Sequence, residues 1–199
     1  MTGTTPPRQN LIKPRDSILE VATGLFSESG YAGTTIRDIA KAVGVLPGSL
    51  YAHIDNKETL LFEIAEAGID RFLAATEAIE RSIEPAERMR LAIKAHLAVV
   101  AENPQRTLVV FHQWRYLTGP NRARIVDKRQ RYEDFYRALM RDGMASGDFG
   151  ARLDPKIAVL SLLGALNWTA EWFKPDGPAD AEEIGDRLAD TLLWGILRK

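Results

Sequence analysis

Apolar residues recur along this chain at three- and four-residue intervals, the spacing that lines one face of an α-helix. Ile18, Val21, Ala22, Leu25 and Phe26 form the first stripe, which ends at Gly30. Ile36, Ile39, Ala40 and Val43 form a second, stopped by Gly44. A third short segment covers about 47–54, and Asn56 is placed to cap a longer helix from Lys57. Met89, Ala92, Ile93, His96, Val99 and Val100 make another stripe between Pro85 and Pro104, two prolines suited to first helical turns. Gly119-Pro120 interrupts the segment after that. Further helices are expected over about 121–146, from Asp154-Pro155 to about 173, and over about 181–197 beyond the loop "KPDGPAD". No stretch alternates with period two for long enough to make a strand. The pattern predicts an all-α chain of about nine helices. It divides into a polar arm over 1–13, a three-helix unit over 14–60 and a helical bundle over 61–199.

Composition narrows the possibilities. With 199 residues, 45% hydrophobic and 27% charged, there is ample chain for a core without covalent staples. No cysteine is present, which removes disulfides, thiolate catalysis and cysteine-ligated zinc together. The first residues lack the apolar core of a signal peptide. The longest apolar run, "IAVLSLLGALNW", is too short to span a bilayer. A soluble, cytoplasmic protein with no membrane association is expected. Helical bundles can hold di-iron sites through Glu-x-x-His pairs, but none of His53, His96 or His112 has a glutamate three residues before it. No nucleophile elbow or phosphate loop appears, so neither catalysis nor a metal or cofactor is expected. The net charge of −1 argues against indiscriminate nucleic-acid binding but leaves room for a local basic face.

The stretch 34–61, "TTIRDIAKAVGVLPGSLYAHIDNKETLL", is where candidate chemistry concentrates. Two helices this short need a third to pack on. With the first helix they make a helix-turn-helix unit (about 35–54), whose second helix can enter a major groove. Ile36, Ile39, Val43, Val45, Leu50 and Ile54 can share a core. Thr34, Thr35, Arg37, Leu46, Pro47, Gly48, Ser49, Tyr51, Ala52, His53 and Lys57 are left outside. Hydroxyls, a phenol, an imidazole and two cations are donors suited to phosphates, and the small or apolar Leu46, Pro47, Gly48 and Ala52 to close approach to bases. Arg8, Lys13 and Arg15 are either solvated or part of a minor-groove arm.

Phe26, Gly30, Thr34-Thr35, Ile39-Ala40, Gly44-Val45, Gly48-Ser49-Leu50-Tyr51, His53, Lys57-Glu58 and Leu60 together resemble the N-terminal domain of the TetR family of bacterial transcriptional regulators. The resemblance covers about 15–62. Leu46 stands where that family often has a capping serine or threonine, and Ile54 where phenylalanine is usual. The resemblance implies DNA contacts from Thr34, Thr35, Arg37, Leu46, Pro47, Gly48, Ser49, Tyr51, His53 and Lys57. It also implies a homodimer on a palindromic operator in double-stranded DNA, and a C-terminal domain that dimerises and holds a small-molecule effector.

The remaining sequence carries features of its own. The last two helices have more apolar surface than one face needs: Ile157, Leu160, Leu163, Gly164, Leu166, Trp168 and Trp172, then Ile184, Leu188, Leu192, Leu193, Trp194 and Leu197. They fit either an interchain four-helix interface or an intrachain core. Over 115–131 the cations Arg115, Arg122, Arg124, Lys128, Arg129 and Arg131 face one carboxylate, Asp127, and aromatic residues interleave them. This is either a solvated helix face or the receptor of an anionic, partly apolar ligand. The segments 121–149 and 162–178 resemble the TetR branch that responds to acyl-coenzyme A thioesters. Trp114, Arg115, Arg122, Tyr132, Tyr136, Asn167, Trp168 and Trp172 are the candidate ligand residues. A free lipophilic or aromatic effector is the alternative, and a non-catalytic helical interaction protein is the rival from another class.

Overall fold

The computed structural model describes residues 14–195, so the expected arm at 1–13, with Arg8 and Lys13, and Leu197 near the C-terminus lie outside the described residues. Among those described there are ten α-helices and no strand. They are α1 (Pro14–Glu28), α2 (Gly30–Gly33), α3 (Ile36–Val43), α4 (Pro47–Leu50), α5 (Lys57–Glu77), α6 (Pro85–Glu102), α7 (Pro104–His112), α8 (Gly119–Ser146), α9 (Pro155–Trp172) and α10 (Ala181–Trp194). A 3-10 turn, Gln113–Tyr116, follows α7 directly.

Local chemistry sets the boundaries. Thr35 and Asp38 form a reciprocal capping box at the start of α3, and Gly44 ends that helix in the left-handed region at φ 82°. The side chains of Asn56, Asn103, Asp154 and Asp180 accept backbone N–H bonds at the starts of α5, α7, α9 and α10. Proline occupies the first turn of α4, α6, α7, α8 and α9.

Helix α5 is the spine. It packs on α6, α7 and α8, and α1 packs on α7 as well as α3. Leu60, Leu61, Ile64, Ile69 and Phe72 of α5 are buried, and the whole α6 stripe from Met89 to Val100 faces inward. Lys128 of α8 reaches Glu66 at 2.8 Å and Asp70 at 2.7 Å on α5. The expected seam near residue 60 falls inside the first turn of α5, so the parts on either side share one helix.

Three local expectations change. The third short helix is a single α-turn at Pro47–Leu50. The chain then tightens, with His53 N–H on the Leu50 carbonyl at 2.8 Å and Ile54 N–H on the same oxygen at 3.1 Å. The one-turn α2 has no counterpart in the apolar pattern. Val45 leaves the predicted core: Gly44 turns the chain off the α3 axis, and the Val45 side chain is 40% exposed.

Candidate functional site

Two places gather the candidate residues. The first is the end of the molecule formed by α3 and α4. Ile39, Ala40, Leu50 and Ile54 are buried against Ile18, Ala22 and Phe26 of α1, which fixes how α4 is presented. Arg37, Pro47, Gly48, Ser49, Tyr51 and His53 remain exposed, and Leu46 is 76% exposed at the cap of α4, with no side-chain cap bond. Tyr51, at the other end of the same turn, is 57% exposed. Arg15 reaches the His53 carbonyl and Glu63, so this cation braces the turn after α4 against α5.

Thr34 is not part of that exposed set, contrary to its expected surface role. Its side chain is buried, and its hydroxyl donates to the carbonyls of Gly30 at 2.9 Å and Leu25 at 3.2 Å. The hydroxyl thus closes the α1–α3 connection. The Thr35 hydroxyl donates to Asp38 Oδ2 at 2.6 Å as part of the cap. Lys57 is half-committed: Nζ donates to the carbonyls of Tyr31 at 2.8 Å and Thr34 at 2.7 Å, and lies 4.0 Å from the Tyr31 ring centre. Partial burial holds its pKa below the usual lysine value.

The second place is a cavity of about 360 Å³ between α5, α7, α8 and α9. Ile69, Phe111, Trp114, Arg129, Tyr132 and Asn167 are among its walls. It therefore unites Trp114, Tyr132 and Asn167 from the expected ligand set. Arg115 and Arg122 do not line it, but their guanidinium groups lie 5.1 Å and 5.9 Å from the Trp114 ring centre. Arg129, from the cationic run, joins them at 4.8 Å.

Tyr136 sits behind the cavity. It is fully buried, and its hydroxyl lies 3.2 Å from the Ala92 carbonyl and 3.1 Å from the Tyr132 hydroxyl. Trp168 and Trp172 point elsewhere. With Ile157 they make an exposed stripe at helical spacing along α9, while Leu160 and Gly164, also exposed, lie on the border and line the cavity too. Leu163 and Leu166, which share their apolar run in the sequence, are buried inside the chain.

Sequence reasoning missed His96 as anything but a stripe residue. It is buried beside Phe72 and Phe111, with Nε2 3.1 Å from the Leu166 carbonyl and Nδ1 2.8 Å from the Tyr132 hydroxyl. The carbonyl can only accept, so Nε2 carries the proton and Nδ1 accepts from Tyr132. Burial drives the His96 pKa down to about 3, so the ring is neutral. Nothing in the spacing of α6 distinguishes this histidine; only the arrival of Tyr132 from α8 does.

The 3-10 turn joins the two places. Trp114 faces the cavity, while Gln113 accepts the Tyr31 N–H at 2.9 Å and Tyr116 lies 5.3 Å from the Tyr31 ring. Tyr31 in turn carries Lys57 at the start of α5. Among the described residues no helix is long and apolar enough to cross a membrane.

Known proteins resemble this chain along nearly its whole length. The profile described as "Bacterial regulatory proteins, tetR family" matches residues 18–64, and that described as "Tetracyclin repressor-like, C-terminal domain" matches residues 82–196. The HTH-type transcriptional repressor KstR2 of Mycobacterium tuberculosis is 27% identical over 189 residues, 93% of this chain and 94% of the relative. The TetR family transcriptional regulator PfmR of Thermus thermophilus is 35% identical, with a TM-score of 0.81 over 91% of this chain and 99% of that one. AibR, solved in complex with isovaleryl coenzyme A and operator DNA, is 31% identical, with a TM-score of 0.79 over 92% of this chain and 100% of that one. With both halves matched in sequence and the whole helical order matched in space, the chain belongs to the TetR family of bacterial regulatory proteins.

Proposed function

We propose that this protein is a ligand-responsive transcriptional repressor that binds a palindromic operator as a homodimer and leaves it when a small-molecule effector enters the α5–α9 cavity. The observation that carries the reading is the open edge of α4, with Leu46 and Tyr51 in solvent on a unit whose other apolar residues are largely buried. Leu46, Pro47 and Gly48 suit base edges, and Arg37, Ser49, Tyr51 and His53 suit flanking phosphates. The Thr35 N–H is taken by Asp38 in the capping box, so Lys57 is left to contribute a helix N-terminal N–H, with its charge held close to Thr34.

The α9 stripe supplies the dimer. Ile157 at 58% exposure and Trp168 at 62% are large apolar groups on one face, and a Cβ added at Gly164 between them meets nothing within 4 Å. Two copies of that stripe, flanked by α10, bury it in a two-fold interface and set two α4 edges on successive half-sites. In this reading 14–60 is the DNA-binding part and 61–199 the effector and dimer part, working in the cytoplasm.

An acyl-coenzyme A thioester fits as effector. The cavity is large enough for an acyl group, and cations crowd the side where Trp114 lies. A free lipophilic or aromatic compound would fill the same space. Coupling has two routes. Ile69 lines the cavity on the helix that begins at Lys57, about 18 Å away at 1.5 Å per residue. Trp114 lies on the turn that holds Tyr31. An effector that prefers one arrangement by a few kcal/mol shifts the half-site spacing and the operator affinity with it.

The test is capture of random genomic fragments by the purified protein at fixed salt, followed by sequencing. Enrichment of a few palindromic sites, lost when the cognate effector is added, is expected. Uniform retention that falls steeply with salt would mean that only phosphate attraction is present, and the repressor reading would fall.

A further inference from the structure

Four cations of α8 are paired with carboxylates. Arg124 meets Glu66 at 2.5 Å, Lys128 meets Glu66 and Asp70, and Arg131 meets Glu77 at 3.2 Å. Arg137 donates from Nε to Glu133 at 2.8 Å. Three are different. Arg115, Arg122 and Arg129 ring one indole, Trp114, at 5.1, 5.9 and 4.8 Å from its centre. None of the three forms an ion pair among the described residues, unlike Arg124, Lys128 and Arg131 beside them on α8.

Donors also converge there without acceptors. The buried Trp114 Nε1–H has no hydrogen-bond partner among the described residues. Arg129 uses Nη1 on the Val110 carbonyl at 3.3 Å and has the rest of its fork unspent. Both residues line the cavity together with Asn167. Glu133 lines it too, but Arg137 holds that carboxylate. Burial, and then the nearby Arg115, pull the Arg129 pKa down, and the Glu133 carboxylate offsets this only in part. A buried donor without an acceptor is unfavourable, and so are three like charges around one ring. One anion relieves both.

We propose that Trp114, Arg129 and Asn167, with Arg115 and Arg122 around the same ring, form a subsite for the anionic group of a largely apolar effector. The proposal rests on the reading of the α5–α9 cavity as the effector site and names the chemistry that site selects. The anion is either the carboxylate of a free acid or a phosphate of a coenzyme A conjugate. Arg129 supplies the charge-assisted fork, Trp114 Nε1–H a second donor, and the apolar wall of Ile69, Phe111 and Leu163 takes the body of the ligand.

Calorimetric titration decides it, with octanoate, methyl octanoate, coenzyme A and octanoyl-coenzyme A as probes. Wild type, Arg129→Met and Trp114→Phe are compared. If the anion is a carboxylate, octanoate binds wild type about tenfold tighter than its methyl ester. Arg129→Met and Trp114→Phe each bring the octanoate-to-ester affinity ratio toward one, whatever they do to the ester's own affinity. If the anion is a phosphate, coenzyme A and octanoyl-coenzyme A carry the preference, and the same variants lose both. Trp114→Phe keeps an aromatic face, removes the unsatisfied donor with part of the ring, and leaves every arginine in place, so it reports even where Arg129→Met does not fold. Charged and neutral probes binding alike, binding indifferent to both substitutions, or no probe binding at all would each overturn the subsite. A bound ester with no charge preference would leave the effector cavity standing, and palindrome capture tests the repressor reading separately.

Discussion

Leu46 and Tyr51 flank the single turn of α4, both exposed, but differ in what they can offer. Leu46 lacks hydrogen-bonding atoms beyond its backbone, so any specificity from its side chain is contact with a base edge. Tyr51 presents one hydroxyl. Selection from randomised half-sites separates the roles: Leu46→Ala relaxes preference at one base pair, whereas Tyr51→Phe weakens all sites alike by about threefold to tenfold. A sharp change of base preference in Tyr51→Phe would reverse this assignment. His96 makes a second prediction at the same scale. The unfolded chain takes up its proton as pH falls through the ordinary histidine value of about 6.5, and the folded chain only near 3. The stability contributed by the neutral ring is therefore full above about pH 6.5 and drains on the way down to about pH 3. The slope approaches about 1.4 kcal/mol per unit inside that window. Denaturant titrations from about pH 7.5 to about pH 5 should show the wild type losing stability faster than His96→Gln, which lacks only the imidazole. Parallel losses in the two proteins would sink the account.

Helix α5 meets α7 at a place where only glycine fits. A Cβ at Gly68 would stand 2.2 Å from Val110 Cγ2. Gly68→Ala must push the helices apart and should cost about 1–3 kcal/mol in chemical denaturation. Val110→Ala makes room, so the double variant should recover part of the loss, which a double-mutant cycle measures as a favourable coupling. Additive losses would show that the clash is relieved some other way. The same pair of helices carries Ile69 into the cavity and leads through α7 to the 3-10 turn, so this close contact also sets where Trp114 sits relative to Lys57.

Helix α9 turns one face to the cavity, through Leu163 and Asn167, and another to solvent, through Ile157, Trp168 and Trp172. In the proposed assembly, dimer and effector site would share a wall, and whatever fills one would bear on the other. Placing a charge on the outer face tests the assembly. Trp168→Glu should convert the dimer to a monomer by sedimentation and weaken binding to a palindrome at least about 100-fold, because a single half-site retains only its own contacts. Its folded-state helicity should be unchanged, since the side chain packs on the solvent side of the chain. A dimer that persists in this variant would move the interface elsewhere.

Most of the helices are legible in the sequence because each is written locally. Apolar spacing, capping side chains such as Asn56 and Asp154, first-turn prolines and Gly44 act within a few residues of one another. The motif from Thr34 to Lys57 is legible for the same reason, since short elements joined by a tight turn keep sequence neighbours together in space. What the sequence does not determine is which way each side chain turns once distant helices meet. Spacing makes Thr34 a surface donor, yet its hydroxyl satisfies the carbonyls of Leu25 and Gly30. Trp168 and Trp172, candidates for a ligand wall, lie on the outer face of α9. His96 and Tyr132 are 36 positions apart and become a hydrogen-bonded pair only because α6 and α8 pack together. The cationic run is visible in composition, but its partition into paired and unpaired arginines depends on carboxylates from α5, a separate helix. Local interactions are encoded by spacing along the chain; charge pairing and burial depend on separations that the packing of whole helices alone creates.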